Sequence, residues 1–198
     1  IAIGMRFDDR VTGNLATYAK QAKVIHFEID PAEVDKNVKT DVAVLGDVKE
    51  SLAALLPLVE AKSHEAWHNE FKEKYKIELE SVINDELNPK GEGISMGETI
   101  EMINKHSNGD AIMVSDVGQH QMFTCRYSKF NQSKSNITSG GLGTMGFALP
   151  AAIGAKMGQP DREVVAIIGD GGFQMTIQEL GTIFQTRVPV KIVVLNNE

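Results

Sequence analysis

Two short apolar runs near the C-terminus, separated by a segment of helical length, constrain the fold most strongly. The runs are residues 164–168 and 190–195. Apolar runs of this length, rich in valine and isoleucine, are typical of strands that are buried on both faces of a parallel sheet. A strand, a connection of helical length and a second strand form a βαβ unit. The pattern therefore predicts an α/β fold with parallel strands.

Polar residues follow both apolar runs, at the points where the strands should end. Gly169-Asp170-Gly171 follows the first run and Asn196-Asn197 follows the second. The carboxyl ends of parallel strands meet at one edge of the sheet, where such folds bind their ligands. Carboxylate and amide oxygens suit Mg²⁺, which usually also takes phosphate oxygens. We therefore expect Asp170 and Asn197 to lie close together and to share one cation.

This spacing resembles the signature of thiamine-diphosphate-dependent enzymes, in which Gly-Asp-Gly precedes Asn-Asn at a similar distance. The resemblance implies that Asp170 and Asn197 hold Mg²⁺ on the diphosphate, and that Gly171 and Gly172 also contact the cofactor. The Gly-Asp-Gly trio alone is more often a tight turn. The agreement of both strands and of the segment between them favours the cofactor site.

A glycine-rich stretch allows two interpretations. Residues 141–146 match Gly-x-Gly-x-x-Gly, a nicotinamide-dinucleotide fingerprint that requires a buried strand directly before it. Residues 133–139 are too polar for such a strand, so the sequence argues against that site. The longer stretch 138–155 resembles acetohydroxyacid synthase (acetolactate synthase) large subunits. That resemblance implies that Gly143 and Met145 contact thiamine diphosphate, and that Met145 wedges under the cofactor and bends it.

Residues 116–122 resemble the same family and follow a predicted strand over residues 111–115, with residues 116–120 expected as a loop. The resemblance implies thiamine-diphosphate contacts for three residues: Gly118, Gln119 and His120. It places Met122 near the substrate, and it assigns catalytic roles to Gln119, His120 and Met145. Without the resemblance, this stretch is an ordinary loop that contains a histidine.

The N-terminal part resembles the FAD-contacting stretch of the same enzymes, over residues 4–13, 26–30 and 46–48. The residues expected to bind FAD are Gly4, Arg6, Asp9, Arg10, Glu28, Ile29, Asp47 and Val48. Arginine offers a fixed fork of donors for diphosphate or carboxylate, and the resemblance implies that Arg10 also places a substrate carboxylate. Standing alone, the cluster over residues 6–10 is equally typical of surface ion pairs.

The alternation of strand and helix patterns predicts doubly wound, Rossmann-like domains. Residues 1–60 are expected to be the C-terminal half of a central FAD-contacting domain, 61–91 a helical linker, and 92–198 the N-terminal part of a thiamine-diphosphate-binding domain. The chain begins in a strand without methionine and ends directly after another strand, so we expect a fragment of a longer protein. Helices are predicted over residues 11–22, 48–58, 97–106 and 145–157.

Composition excludes several classes of protein. The net charge of −7 and the pI near 5.3 argue against a nucleic-acid surface. The single cysteine, Cys125, excludes a disulfide framework and is expected to be buried. No apolar run is long enough to span a membrane and no signal peptide is visible, so a cytoplasmic location without membrane partners is the expectation.

The resemblance implies a transferase of branched-chain amino acid biosynthesis. Such an enzyme decarboxylates pyruvate and condenses it with a second 2-ketoacid, pyruvate or 2-ketobutyrate, using thiamine diphosphate, Mg²⁺ and a structural FAD. It implies a homodimer or tetramer, with a small regulatory subunit as a candidate partner. The family's catalytic glutamate and third metal ligand would lie outside this chain, so the chain alone is expected to be inactive. Alternatives are a pyruvate oxidase, a glyoxylate carboligase or a non-catalytic nucleotide-binding module.

Overall fold

The structure, a computed structural model, describes residues 1–197. The chain divides into two compact units, the first ending at Glu65 and the second beginning at Ala66. Each unit contains one parallel sheet. The predicted α/β class with parallel sheets is confirmed.

The first unit is built on a three-stranded sheet in the order β1-β2-β3. Its elements are β1 (Ala2–Ile3), α1 (Asp9–Thr12), β2 (Ile25–Glu28), a 3-10 turn (Pro31–Glu33), β3 (Val42–Leu45), α2 (Val48–Leu55) and a 3-10 turn (Leu56–Leu58). All strands are parallel, so their carboxyl ends lie at one edge. That edge carries most of the residues expected to bind FAD.

The helix predicted over residues 11–22 is wrong beyond Thr12. Helix α1 ends there because Gly13 adopts a φ of 55°, which takes the chain out of the helix. The side chain of Asn14 then accepts a hydrogen bond from the backbone N–H of Ala16, which forms a turn. Ala19 also has a positive φ, of 42°, so the segment is a series of turns.

The second helix of this unit is predicted over residues 48–58. Helix α2 does begin at Val48, but its regular part ends at Leu55. Its apolar residue Leu52, and Leu56 and Val59 shortly after it, are exposed. The neighbouring strand β3 is largely exposed as well, which leaves these side chains without a packed surface inside the unit.

The second unit contains a four-stranded sheet in the order β5-β4-β6-β7. Its elements are α3 (Glu65–Glu78), a π-helical turn (Leu79–Ile83), α4 (Asn84–Leu87), α5 (Met96–Ser107), β4 (Ile112–Ser115), α6 (Gln119–Tyr127), β5 (Asn136–Thr138), α7 (Ala148–Gly158), β6 (Val164–Gly169), α8 (Asp170–Thr176), α9 (Glu179–Thr186) and β7 (Lys191–Leu195). Within residues 61–91, the chain is helical from Glu65 to Leu87.

Apolar clusters cover both faces of this sheet. On one face, Leu149 and Ala152 of α7 pack with the even-numbered residues of β4 and β6. On the other, Ile100 of α5 and Tyr127 of α6 pack with the odd-numbered residues of the same strands. Successive side chains of a strand point to opposite faces, so a strand buried on both must be apolar throughout. This explains the continuous run over residues 164–168 and confirms the doubly wound arrangement here.

Four local expectations in this unit need correction. A strand, β5, does precede the glycine-rich stretch, although two of its three residues are polar and none is fully buried. Helix α7 begins at Ala148 rather than Met145, with Pro150 tolerated in its first turn. Helix α6 begins at Gln119, so the loop after β4 is shorter than expected. Cys125 is exposed rather than buried.

Among residues 1–197, no helix is both long and apolar enough to cross a membrane.

Candidate functional site

The carboxyl ends of β4, β6 and β7 meet at one edge of the second sheet, because the strands are parallel neighbours. Asp116 follows β4, Asp170 follows β6, and Asn197 lies just beyond β7. Gln119 lies in the first turn of α6. The side-chain amide of Asn197 donates a hydrogen bond to Oε1 of Gln119, at 3.1 Å. Since β6 lies between β4 and β7, this hydrogen bond spans the end of the strand that carries Asp170. The structure thus brings the predicted diphosphate and metal residues to one edge.

The ligand chemistry at this edge fits an Mg²⁺ ion that is shared with phosphate. Asp170 and Asn197 are both exposed and provide one carboxylate and one amide oxygen. No group of three or more His, Cys, Asp or Glu side chains that could hold a metal occurs within residues 1–197. A cation here would therefore take its remaining ligands from water and phosphate, as Mg²⁺ usually does.

His120 is packed into this edge by two glycines. A Cβ atom would lie 2.8 Å from its ring Cε1 if placed on Gly118, and 2.9 Å if placed on Gly169. Gly118 also has a φ of 150°, which side-chain-bearing residues rarely adopt. Any larger residue at either position would displace the imidazole. Gly118 therefore makes room for the His120 ring. Its expected contact with the cofactor stays a prediction.

The imidazole of His120 is buried. Burial lowers the pKa of this ring, and the negative charges of Asp116 and Asp170 oppose the shift only in part. Its Nε2 atom is buried and has no hydrogen-bond partner in the part of the chain that the structure describes. Buried polar atoms almost always have a partner. A buried nitrogen without a partner among residues 1–197 could bond to a phosphate oxygen, so the residues present fit a bound diphosphate.

The glycine-rich stretch forms a loop that reaches the same edge. It is closed by hydrogen bonds from the backbone N–H of Gly143 to the carbonyl of Ser139, at 2.8 Å, and from the N–H of Thr144 to the Ser139 hydroxyl, at 3.1 Å. Met145 lies at its end, with 46% of its surface exposed. Its Cε atom is 3.5 Å from the point where a Cβ on Gly171 would lie. Met145 therefore sits beside the Gly-Asp-Gly segment.

The remaining predicted residue of this unit, Met122, lies on α6 and is exposed. The neighbouring Gln121 donates from its side chain to the hydroxyl of Thr138, at 2.8 Å, which ties α6 to β5. Met122 follows His120 by two residues, so it lies on the same short helix as the diphosphate residues. Its expected contact with substrate stays a prediction.

Comparison with known proteins identifies both units. Residues 116–198 match a model described as thiamine pyrophosphate enzyme, C-terminal TPP binding domain. Residues 1–55 match the central domain of the same enzymes. Together the matches cover more than half of the chain, and thiamine pyrophosphate is another name for thiamine diphosphate. The chain belongs to the thiamine pyrophosphate enzymes.

Among the thiamine pyrophosphate enzymes, acetolactate synthases are similar over the whole chain. The Lactococcus lactis acetolactate synthase large subunit is 45% identical over 197 residues, covering 100% of this chain and 34% of that protein. Acetolactate synthase 2 of Nicotiana tabacum is 42% identical over 207 residues, covering 100% and 30%. Acetolactate synthase isozyme 3 large subunit of Escherichia coli is 42% identical over 198 residues, covering 99% and 34%. The chain spans about a third of the length of these relatives.

In the unit that matches the central domain of thiamine pyrophosphate enzymes, the residues predicted to bind FAD lie at or near the carboxyl ends of the strands. Gly4 follows β1, with a φ of 61°, and its N–H donates to the carbonyl of Phe27. Arg6 forms an ion pair with Asp8, and Asp9, Arg10, Ile29 and Val48 are exposed. These positions leave the predicted FAD contacts open to a ligand.

Two of the predicted FAD residues already use part of their carboxylate within the protein. Oε1 of Glu28 accepts hydrogen bonds from the N–H groups of Ile29 and Asp30. Oδ1 of Asp47 caps α2 by accepting from the N–H groups of Lys49 and Glu50. Each therefore has one carboxylate oxygen engaged in shaping the loop, and the second oxygen of Glu28 lies 3.6 Å from Nε2 of the buried His26.

One residue at this edge, Asp116, is not among the predicted site residues. Asp116 is fully buried, and its carboxylate accepts hydrogen bonds from the backbone N–H groups of Val117 and Gly146. The signal that could have found it is the one that found Asp170, namely an aspartate directly after a buried strand. Its partner Gly146 is far away along the chain and could not be predicted from that signal.

Gly172→Ala should destabilise the protein through Asp116. A Cβ on Gly172 would lie 2.7 Å from Oδ2 of Asp116, which is fully buried and cannot move into solvent. We expect a loss of about 1–3 kcal/mol in the free energy of unfolding. The matched control is Gly154→Ala in α7, where no atom lies within 4 Å of the new Cβ. Urea unfolding followed by circular dichroism should show no loss of stability in the control; equal midpoints for the two variants would contradict the packing argument.

Proposed function

We propose that this chain is part of the catalytic subunit of an acetolactate synthase. The observation that supports it best is the meeting of Asp170, Asn197, His120 and the Met145 loop at one sheet edge. The chain that carries this edge is 45% identical to an acetolactate synthase large subunit. We propose thiamine diphosphate and Mg²⁺ at this edge and FAD at the first sheet. The substrates would be pyruvate and a second 2-ketoacid, pyruvate or 2-ketobutyrate.

The residues at the edge of the second sheet would divide the work of cofactor binding. When bound, thiamine diphosphate takes up the electron pair that is released as a 2-ketoacid loses carbon dioxide. Asp170 and Asn197 would hold the cation that compensates the diphosphate charge. His120 offers a buried Nε2 with no partner among residues 1–197. Met145 offers an apolar surface that orients the cofactor.

We propose the same division of the chain that the sequence predicts. Residues 1–60 would belong to a central FAD-contacting domain, 61–91 to a helical linker and 92–198 to the thiamine-diphosphate-binding domain. Limited proteolysis should then cut within residues 61–91 first.

FAD binding by the first domain predicts flavin in the purified full-length protein, and less of it after Arg10→Ala. A homodimer or tetramer, a small regulatory subunit and a cytoplasmic location are further parts of this proposal.

The test is the activity of the full-length protein that contains this chain. With pyruvate, thiamine diphosphate, Mg²⁺ and FAD, it should release carbon dioxide and form acetolactate. Oxygen consumption with pyruvate would indicate an oxidase instead, and carbon dioxide release from glyoxylate alone would indicate a glyoxylate carboligase. FAD or ADP binding without any response to thiamine diphosphate would indicate a non-catalytic nucleotide-binding module. Each of these three results would overturn the proposal.

The 198-residue chain by itself should form no acetolactate under the same conditions. By the family resemblance, the acid that activates the cofactor and the third metal ligand lie outside it, and catalytic groups that act as a unit lose most of the rate when one is missing. The full-length protein is the positive control, and circular dichroism establishes that the isolated chain is folded. Turnover by the isolated chain, free of contaminating enzyme, would show that these residues suffice.

A further inference from the structure

The loop that carries Met145 is held by a carboxylate on the neighbouring strand β4. Asp116 lies at the carboxyl end of β4 and is fully buried. Both of its carboxylate oxygens lie 3.0 Å from the backbone nitrogen of Gly146, and Oδ1 also accepts from the N–H of Val117, at 2.7 Å. Hydrogen bonds to an ionised acceptor are stronger than neutral ones. A charge that is buried at this depth must be matched by such donors.

Gly146 is also held from its other side. Its carbonyl accepts a hydrogen bond from the hydroxyl of Thr176 in α8, at 3.1 Å. Its φ is 79°, and a Cβ there would lie 3.1 Å from both Met175 Cβ and Thr176 Cγ2. The backbone of Gly146 is therefore clamped between β4 and α8, the helix that begins at Asp170.

Met145 has little else to fix its position. It lies outside any helix or strand and is 46% exposed. The backbone N–H groups of the neighbouring Gly143 and Thr144 donate within the loop, to Ser139. The backbone anchor directly after Met145 therefore sets where this side chain meets Gly171.

We propose that Asp116 is a positioning residue, whose buried carboxylate fixes the Gly146 backbone and thereby holds Met145 against the segment that binds the diphosphate. The proposal rests on the function proposed above. Asp116 itself would touch neither substrate nor cofactor. It would act through the loop, in the way that Thr176 acts from the opposite side.

The test compares three variants of the full-length protein. Asp116→Ala removes the acceptor. Asp116→Asn keeps one oxygen but turns an NH₂ group toward the loop, and Thr176→Val removes the second anchor. The matched control is Asp35→Asn, an exposed carboxylate of the first unit that accepts from the N–H and hydroxyl of Thr40. Amide hydrogen exchange of residues 139–147 without cofactor, thiamine-diphosphate affinity by calorimetry, and kcat and KM for pyruvate are measured for each protein.

We expect exchange in residues 139–147 to rise by at least about tenfold in Asp116→Ala, since a charge-assisted hydrogen bond is lost. Turnover should fall by about 10²-fold, because small displacements of reacting groups cost that much, while KM for pyruvate and cofactor affinity change little. Asp116→Asn and Thr176→Val should show smaller changes in the same direction, and Asp35→Asn should match the wild type.

Unchanged exchange in Asp116→Ala, or unchanged kcat beside faster exchange, would overturn the proposal. If Asp116→Ala loses structure throughout the second unit, seen as faster exchange everywhere in it, Asp116→Asn and Thr176→Val test the proposal instead. Wild-type exchange and wild-type turnover in both of these variants would then overturn the proposal. A wild-type protein that binds no thiamine diphosphate would refute the proposed function, whereas the exchange measurement would still test the clamp on Gly146.

Discussion

Asp170→Ala in the full-length protein should lower its affinity for thiamine diphosphate with Mg²⁺ by at least about tenfold, which corresponds to about 1.4 kcal/mol. Asp170 would supply one of only two side-chain ligands at the sheet edge. Its removal would leave the diphosphate charge less compensated. Asp170→Asn keeps an oxygen ligand and loses the charge, so its affinity should lie between those of the wild type and Asp170→Ala. Calorimetric titration with the cofactor at several Mg²⁺ concentrations measures both effects.

Two controls separate loss of the ligand from damage to the fold. Asp161→Ala removes an exposed aspartate that precedes β6, at the opposite end of the strand from Asp170, and should leave the affinity unchanged. Asp170 also begins α8, where a negative charge stabilises the helix by about 0.3–1 kcal/mol. Thermal unfolding of each variant shows whether the loss of this helix stabilisation lowers the stability of the whole protein. A cofactor affinity equal to the wild type in Asp170→Ala would refute the metal site.

Met145→Ala should lower turnover by about 10²-fold and leave cofactor affinity nearly unchanged. The reason is that Met145 would act by shape, supporting one conformation of the cofactor, whereas the diphosphate would be held by Asp170 and Asn197. Met145→Leu keeps an apolar side chain of similar volume and should retain most of the rate. Steady-state kinetics with pyruvate, together with calorimetry of cofactor binding, separate turnover from binding.

The matched control for Met145 is Met157→Ala, a more exposed methionine near the end of α7. It should leave both turnover and cofactor affinity unchanged. Normal turnover in Met145→Ala would show that another residue sets the cofactor conformation. A large loss of affinity would show instead that Met145 anchors the cofactor rather than orienting it.

Much of the second unit could be read from local patterns. The run over residues 164–168 predicts a buried strand because only an apolar strand can be covered on both faces. Ser95 caps α5 by accepting from the N–H of Glu98, and Asn108 ends that helix in a left-handed conformation. Start and stop signals of this kind are local, so the predicted helix over residues 97–106 differs from the observed one by one residue at each end.

Elements that depend on a distant partner were predicted less well. Two of the three residues of β5 are polar, and the strand forms because it pairs with β4, with Ile137 opposite Val114. Within the first unit, Leu52 and Leu56 follow a helical apolar pattern, but no surface of the unit covers them. Cys125 is exposed although free cysteines are usually buried. Propensity and periodicity indicate which secondary structure a segment can form, whereas contacts with neighbouring segments determine the structure and burial that it adopts.

The sequence by itself determined the α/β class, the strands that carry Asp170 and Asn197, and the resemblance that names the cofactor. These follow from spacing along the chain, because parallel strands bring their carboxyl ends to one edge. Only the tertiary structure decided that His120 packs between Gly118 and Gly169, and that Asp116 holds Gly146. The contacts of His120 with Gly169 and of Asp116 with Gly146 join residues that are far apart in the sequence. They depend on the order β5-β4-β6-β7, which brings residues on separate strands and loops to the same place.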